Sequence, residues 1–325
     1  LFIKNNREVF PCLVPASNKL KSFNFFLVKQ ENSLTLIDAG LNTDSCWNSL
    51  QKTLKDHDYA LTDITGILLT HHHTDHIGLV NRIVSTHSIP VYAHPYAKLV
   101  LNRDKEYMKM RVEFFRKLYQ EMGCGEIGEK QVADLHNPII LGENKKIDSE
   151  IQVIANNQLL GFDILDIPGH APDQVAFYHK ECKWLFAGDL LIGNIPSIAF
   201  IEPDYDGTRN KSVVQQKKSL EKCLLLDVDH VFPGHGMIIE NPHDLLKERI
   251  IEIDEKANKY INIIKTGIST ASGIAQIRYK EKYEKQFFNI MSEIIGTLDY
   301  LELQGKINKE MKKGVWRYYC NNISS

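Results

Sequence analysis

Gly66-Ile67-Leu68-Leu69-Thr70-His71-His72-His73-Thr74-Asp75-His76 decides how the rest of the chain is read. Its first five residues form a short apolar run that reads as a buried strand. The next six hold four candidate ligands, His71, His73, Asp75 and His76. A strand that ends in a burst of imidazole and carboxylate can present several donors from one tight loop. Such donors suit zinc, and also iron or manganese. A structural finger would use cysteine and close its shell; the cluster has none, so an open, catalytic centre is expected.

Three further ligand types recur in the same local context. Ile167-Pro168-Gly169-His170, Phe186-Ala187-Gly188-Asp189 and Phe232-Pro233-Gly234-His235 each end an apolar strand with glycine just before the ligand. Glycine there permits a sharp turn that aims the side chain off the sheet edge. If the strand ends lie on one side of a sheet, the loops converge. The donors then divide into two sets: His71, His73 and His170 for one metal, Asp75, His76 and His235 for a second, with Asp189 between them. Two metals about 3.5–4 Å apart share a water and lower its pKa, leaving a bridging hydroxide poised to attack. They also carry the charge that develops on the attacked oxygen. Asp75 and Asp189 are the expected catalytic carboxylates, Asp75 placed to orient the hydroxide and take its proton. No Gly-x-Ser-x-Gly supplies a nucleophile instead. Asp38, ending Leu36-Ile37-Asp38, is read as a carboxylate that orients the loop or a metal-bound histidine. His72 alternates away from its neighbours and is read as a packing or supporting group. His94, ending the strand Pro90–Ala93, is a candidate for the pocket wall.

The whole chain sets bounds. Its 325 residues suit one large and one small domain, and 43% hydrophobic with 25% charged residues is ordinary for a globular protein. A net charge of −2 gives no drive toward nucleic acid or an anionic membrane. No apolar run approaches the roughly twenty residues of a membrane span. Leu1 to Asn6 carries no signal-peptide pattern, and six scattered cysteines read as reduced thiols, so a cytoplasmic location is expected.

Strand and helix signals alternate from Phe23 to Phe232, which predicts an α/β layered fold. A stretch at about 96–135 breaks the rhythm: Tyr107 to Met122 has helical spacing and stops at Gly123-Cys124-Gly125. This insertion is either a packing helix or a wall of the substrate pocket. Residues 1–244 are expected to form the catalytic domain and 245–325 a separate one. Two long helices (Leu245–Ile264, Phe287–Gln304), a short one after Ser269 and a hairpin ending in Gly314–Tyr319 outline a winged helix. It carries fourteen Lys and Arg against ten Asp and Glu, a net +4, which leaves −6 for the remainder.

His71-x-His73-x-Asp75-His76, Gly169-His170, Gly188-Asp189 and Gly234-His235, in that order, resemble the metallo-β-lactamase superfamily over roughly residues 20–240. The resemblance implies an αβ/βα sandwich of two mixed sheets flanked by helices, with two Zn2+ at one edge. Class B β-lactamases lack the pairing of His76 with a bridging Asp189. Homoserine-lactone lactonases place a tyrosine three residues after that Asp, where Ile192 stands here. The ligand set is similar to that of glyoxalase II, and the C-terminal outline to a subgroup with a winged helix. The expected activity is therefore hydrolysis of a small ester or thioester by a dinuclear metal centre. The alternative is a metal-dependent endoribonuclease or phosphodiesterase, with Lys306, Lys309, Lys312, Lys313 and Arg317 contacting phosphates of single-stranded nucleic acid. The winged helix could instead serve packing or a homodimer.

Overall fold

The computed structural model describes residues 1–141 and 146–321, with 136–141 described by backbone alone. Alternation dictates the layers. In Phe25-Phe26-Leu27-Val28, odd positions face one way and even positions the other. Phe25 and Leu27 pack under helices, while Phe26 and Val28 meet a second sheet.

The first sheet runs in sequence order across β1 (Phe2–Lys4), β2 (Arg7–Pro15), β3 (Ser22–Gln30), β4 (Ser33–Ile37), β5 (Gly66–Leu68), β6 (Val91–Ala93) and β7 (Ile151–Val153). β1 to β4 pair antiparallel and β4 to β7 parallel. Parallel pairs need crossovers. These are α1 (Asp44–Asp56) before β5, then α2 (Thr74–Ile77) and α3 (Val80–Val84) before β6. Between β6 and β7 lie α4 (Ala97–Leu101), α5 (Lys105–Glu121) and α6 (Gly125–Leu141).

The second sheet takes β8 (Gln158–Leu159), β9 (Phe162–Asp166), β10 (Val175–His179), β11 (Trp184–Gly188), β12 (His230–Pro233) and β13 (Ile239–Glu240), again in order. Only β11 and β12 are parallel, and α7 (Ser212–Leu224) makes their crossover. Phe26, Phe177, Phe186 and Phe232 interlock between the sheets, and each such buried ring contributes roughly 1.5–3 kcal/mol. Leu50 and Ile83 cover the outer face of the first sheet; Leu220 and Leu246 cover that of the second. The expected layered fold, two mixed sheets flanked by helices, is the observed one.

The chain ends in α8 (His243–Lys265), α9 (Ala271–Tyr279), α10 (Lys282–Lys285), α11 (Phe287–Leu303) and the hairpin β14 (Ile307–Lys312) with β15 (Val315–Cys320). Thr270 accepts from Gly273 N and starts α9. Phe115, Leu118 and Tyr119 of α5 share one core with Tyr260, Phe287, Leu298 and Tyr318. The insertion and the C-terminal helices thus bury their apolar faces against each other. Among the described residues no helix is long and apolar enough to cross a membrane. All six cysteines are free.

Candidate metal centre

Four strand ends on one edge of the sandwich deliver the donors. β5 leads through Leu69-Thr70 into His71, and His73 caps the single-turn α2 that carries Asp75 and His76. β9, β11 and β12 lead to His170, Asp189 and His235. The two sheets are tied at this edge: Val175 N donates to Thr70 O at 2.9 Å, and Asn24 N to Gly234 O at 2.8 Å. Backbone approach is close enough to require glycine. A Cβ on Gly234 would lie 2.3 Å from Asp189 Oδ1 and 2.5 Å from His76 Cε1. A Cβ on Gly169, whose φ is +147°, would lie 2.4 Å from Gln216 Cα.

The seven side chains come together. His73 Nδ1 is 3.0 Å from both His71 Nε2 and His170 Nε2. Asp189 Oδ2 lies 3.4 Å from His170 Nε2 and 3.1 Å from His235 Nε2, and Oδ1 lies 3.3 Å from His76 Nε2. Asp75 Oδ2 is 3.4 Å from His235 Nε2. The ligand atoms of His71, His73 and His170 fall within 4.8 Å of one another, as do those of Asp75, His76 and His235, and those of His71, His76 and Asp189.

Outer hydrogen bonds fix four of the rings. His170 Nδ1 donates to Ile198 O at 2.9 Å and His235 Nδ1 to Ser22 O at 2.8 Å, since a carbonyl can only accept. Asp38 Oδ2 accepts from His76 Nδ1 at 2.8 Å and from Thr70 Oγ1 at 2.8 Å. The Thr70 hydroxyl has one hydrogen and gives it to this carboxylate, so it accepts from His71 Nδ1 at 3.0 Å. Each ring then turns its Nε2 inward, the arrangement that orients metal-bound imidazoles. Asp38 thereby steers His76 directly and His71 through Thr70. The threonine was not singled out in the sequence; its signal is its place between the strand and the first ligand. His72 points away, with Nδ1 2.7 Å from buried Asp173. His94, a candidate for the pocket wall, is instead turned toward Asp166, 3.7 Å from its Nε2, while Nδ1 accepts from Tyr96 N. It is not among the residues that line the cavity onto which the centre opens.

Burial, then the neighbouring imidazoles, holds His71 and His73 well below the usual histidine range, in the neutral form that donates a lone pair. Burial also opposes charge on His76 and His235, but Asp189 overrides it. His76 stands well above the ordinary value and His235 is pushed up to about 9. Burial would raise Asp189 in turn; His76 and His235 hold it well below the carboxylate range. His76 Nε2 and Asp189 Oδ1 are buried without a hydrogen-bond partner. Buried polar atoms with no partner are costly. Converging imidazole nitrogens, a shared carboxylate and these unpartnered atoms together fit a dinuclear metal site. The donor set does not define which metal.

The centre opens into a cavity of about 1030 Å³. Val100, Leu101 and Met108 from the insertion form one wall; Ile192, Ile195 and Phe200 form another, and Phe288 of α11 closes it. Phe200 packs edge-on against His73 and His170 and stacks on Phe288 at 5.3 Å.

The model of the metallo-beta-lactamase superfamily matches residues 22–235. The chain belongs to that superfamily and is a metal-dependent hydrolase of it. It is 30% identical over 302 residues to a probable metallo-hydrolase of Bacillus subtilis, covering 92% of this chain and 94% of that one. A hydroxyacylglutathione hydrolase of Bdellovibrio bacteriovorus is 24% identical over 131 residues, 40% of this chain and 36% of that one. A metallo-beta-lactamase family protein of Thermus thermophilus shares the fold, with a TM-score of 0.74 at 20% identity over 96% of this chain and 98% of that one.

Proposed function

We propose that this hydrolase acts on a small ester or thioester, with two metal ions, zinc foremost and iron or manganese as alternatives, held by His71, His73, His170, Asp75, His76, His235 and Asp189. The observation that carries the reading is the cavity: apolar side chains from the insertion and from α11 line the space onto which the donors open. Pockets of this kind and size take small molecules. The similarity to a hydroxyacylglutathione hydrolase supports the same reading. Two cations bound here supply an activated water and an electrophile for the acyl oxygen. Asp75 is partly exposed to the cavity and lies beside His235, so its carboxylate is placed to orient the attacking water and accept its proton. Asp189 spans both donor sets and fixes their separation. Phe200 and Phe288 exclude bulk water from the acyl side.

The alternative, action on single-stranded nucleic acid, depends on cations near the hairpin. Lys309 is engaged by Glu302 at 2.7 Å and Lys312 by Glu310 at 2.5 Å. Two of the five cations named for that reading are thus engaged within the hairpin region, which supports the acyl substrate as partner. The winged-helix segment 245–325 then serves chiefly to close the pocket, with a homodimer as its further use, and the cytoplasm as the setting for its free thiols.

The test is turnover of a panel of acyl thioesters and lactones by zinc-loaded protein. Asp75→Asn should reduce kcat by about 10²–10⁴, the range for removing a proton-transfer group. No turnover above a His71→Ala control overturns the reading, and salt-dependent binding of single-stranded RNA would favour the alternative.

A further inference from the structure

Four of the five imidazoles in the centre have their outer nitrogen committed to the chain. His71, His76, His170 and His235 give Nδ1–H to Thr70, Asp38, Ile198 and Ser22, and their Nε2 is the inward atom. His73 is reversed. Its Nδ1 is the inward atom, 3.0 Å from His71 Nε2 and from His170 Nε2, so Nε2 is its outer nitrogen. A neutral imidazole that gives a metal its Nδ1 lone pair carries its hydrogen on Nε2. The outer N–H of a ligand histidine almost always donates to a carboxylate, a carbonyl or water. Among the described residues, His73 Nε2 has no acceptor. Nor is it buried, as the unpartnered His76 Nε2 and Asp189 Oδ1 are. His73 lines the cavity, its ring edge-on to Phe200 at 5.6 Å between centroids and to His72 at 4.9 Å. His72 does not supply the acceptor: its Nδ1 is 2.7 Å from Asp173, and no hydrogen bond joins the two rings. One donor of the centre is thus directed at the space that receives the substrate.

We propose that His73 Nε2–H is a substrate-binding donor, and that the acyl portion of the substrate carries a second oxygen acceptor, a carbonyl or a carboxylate, besides the oxygen under attack. The proposal takes from the acyl-hydrolase reading only the side on which the acyl chain lies, that of Phe200; the donor itself is independent of it. Both nitrogens belong to one planar ring. An oxygen bound at Nε2 is therefore held at a fixed distance from the ion that Nδ1 would ligate, and the acyl group is oriented between two points. A plain alkyl chain would leave the N–H against apolar atoms with no acceptor. Sites built to hydrogen-bond a substrate reject analogues that lack the partner for this reason.

The probes are three thioethers of N-acetylcysteamine that cannot be hydrolysed: 3-oxobutyl, 2-carboxyethyl and butyl. Calorimetry on zinc-loaded protein should show the 3-oxobutyl ether binding about threefold to tenfold tighter than the butyl ether, the range for one hydrogen bond between neutral groups. That preference assigns a carbonyl; a preference for the 2-carboxyethyl ether alone assigns a carboxylate. Either oxygen can also reach a metal, so the second readout is the His73 ring itself. In proton–nitrogen spectra of histidine-labelled protein loaded with a spin-half cadmium isotope, coupling to the metal marks the ligand rings. His73 should be the ring among them with its hydrogen on Nε2. That hydrogen should exchange with solvent faster than the Nδ1 hydrogens of the other four. The preferred oxygen-bearing ether should move it downfield and protect it from exchange, and the butyl ether should not. Equal binding of the three ethers overturns the proposal, as does an Nε2–H signal that responds to none of them or equally to butyl. An Nε2–H already protected in the free protein also overturns it, since its partner would then lie within the chain. Absence of thioester turnover with these responses intact would refute the acyl-hydrolase reading and leave the donor standing.

Discussion

Asp38 is a single buried carboxylate that touches no proposed ligand atom yet sets the direction of two rings. It ends β4 with φ at +58°, in the left-handed region that Asp and Asn tolerate better than most residues. Oδ1 accepts from Thr70 N at 2.8 Å, while Oδ2 serves His76 and the Thr70 hydroxyl. Asp38→Asn keeps the backbone preference and the volume but puts an N–H where both of those donors need an acceptor. The expected result is a loss of about 10–100-fold in metal affinity, the usual effect of removing such a supporting group. A competition titration against a chromophoric chelator checks it; unchanged affinity would reduce Asp38 to a turn former. At this scale the sequence was informative wherever the chemistry is local. Four donors occupy His71 to His76, and each of the other three follows a glycine at a strand end. Partners brought from afar left no such mark. Asp173 meets His72 across 101 positions and Glu202 meets Arg111 across 91, and neither sits in a motif.

Among elements, the strands with alternating apolar residues were legible, and so were α5, α7, α8 and α11 from their helical spacing. β1 and β2 were not, because Pro11 and Pro15 interrupt the run and proline weakens a strand reading. α6 was missed for a related reason. Gly123 and Gly125 take positive φ and end α5, yet the next helix starts at once from Gly125, and Gly128 within it lowers its propensity further. Gly128 is explained by packing: a Cβ there would sit 2.8 Å from Cys124 Cβ and 3.0 Å from Tyr119 Cβ. The insertion's tie to the C-terminal helices was equally invisible, since α5 and α11 lie far apart in the chain. Trp316 Nε1 donates to Glu121 at 3.3 Å, and Phe115 and Tyr119 pack on Phe288 and Phe287. Phe115→Ala should therefore cost about 3–5 kcal/mol and reduce hydrogen-exchange protection in α5 and α11 together. Loss confined to α4 through α6 would instead mark the insertion as a lid with its own stability.

At the scale of the whole molecule, the centre joins two halves that also meet through apolar packing and through backbone hydrogen bonds at the same edge. His71, His73, Asp75 and His76 follow the first sheet; His170, Asp189 and His235 follow the second. Each of the proposed donor sets draws on both halves, because His170 completes the first and His235 the second. A bound cation would act as a cross-link between sheets, and its binding energy would add to folding energy, since the unfolded chain does not bring these residues together. At a thousandfold excess over the dissociation constant, one such ion stabilises the native state by about 4 kcal/mol, about 6 °C in a melting experiment on a chain of this size. Chelation should lower the melting temperature by that amount and re-addition of zinc should restore it. The distinguishing readout is hydrogen exchange. Metal should protect the loop at 71–76 and the loops after β9, β11 and β12 in parallel, and His170→Ala should weaken protection on both sides of the sandwich although it removes a donor from only one. Protection limited to the 71–76 loop would mean that the first half binds the ion alone and that the second sheet contributes no ligand.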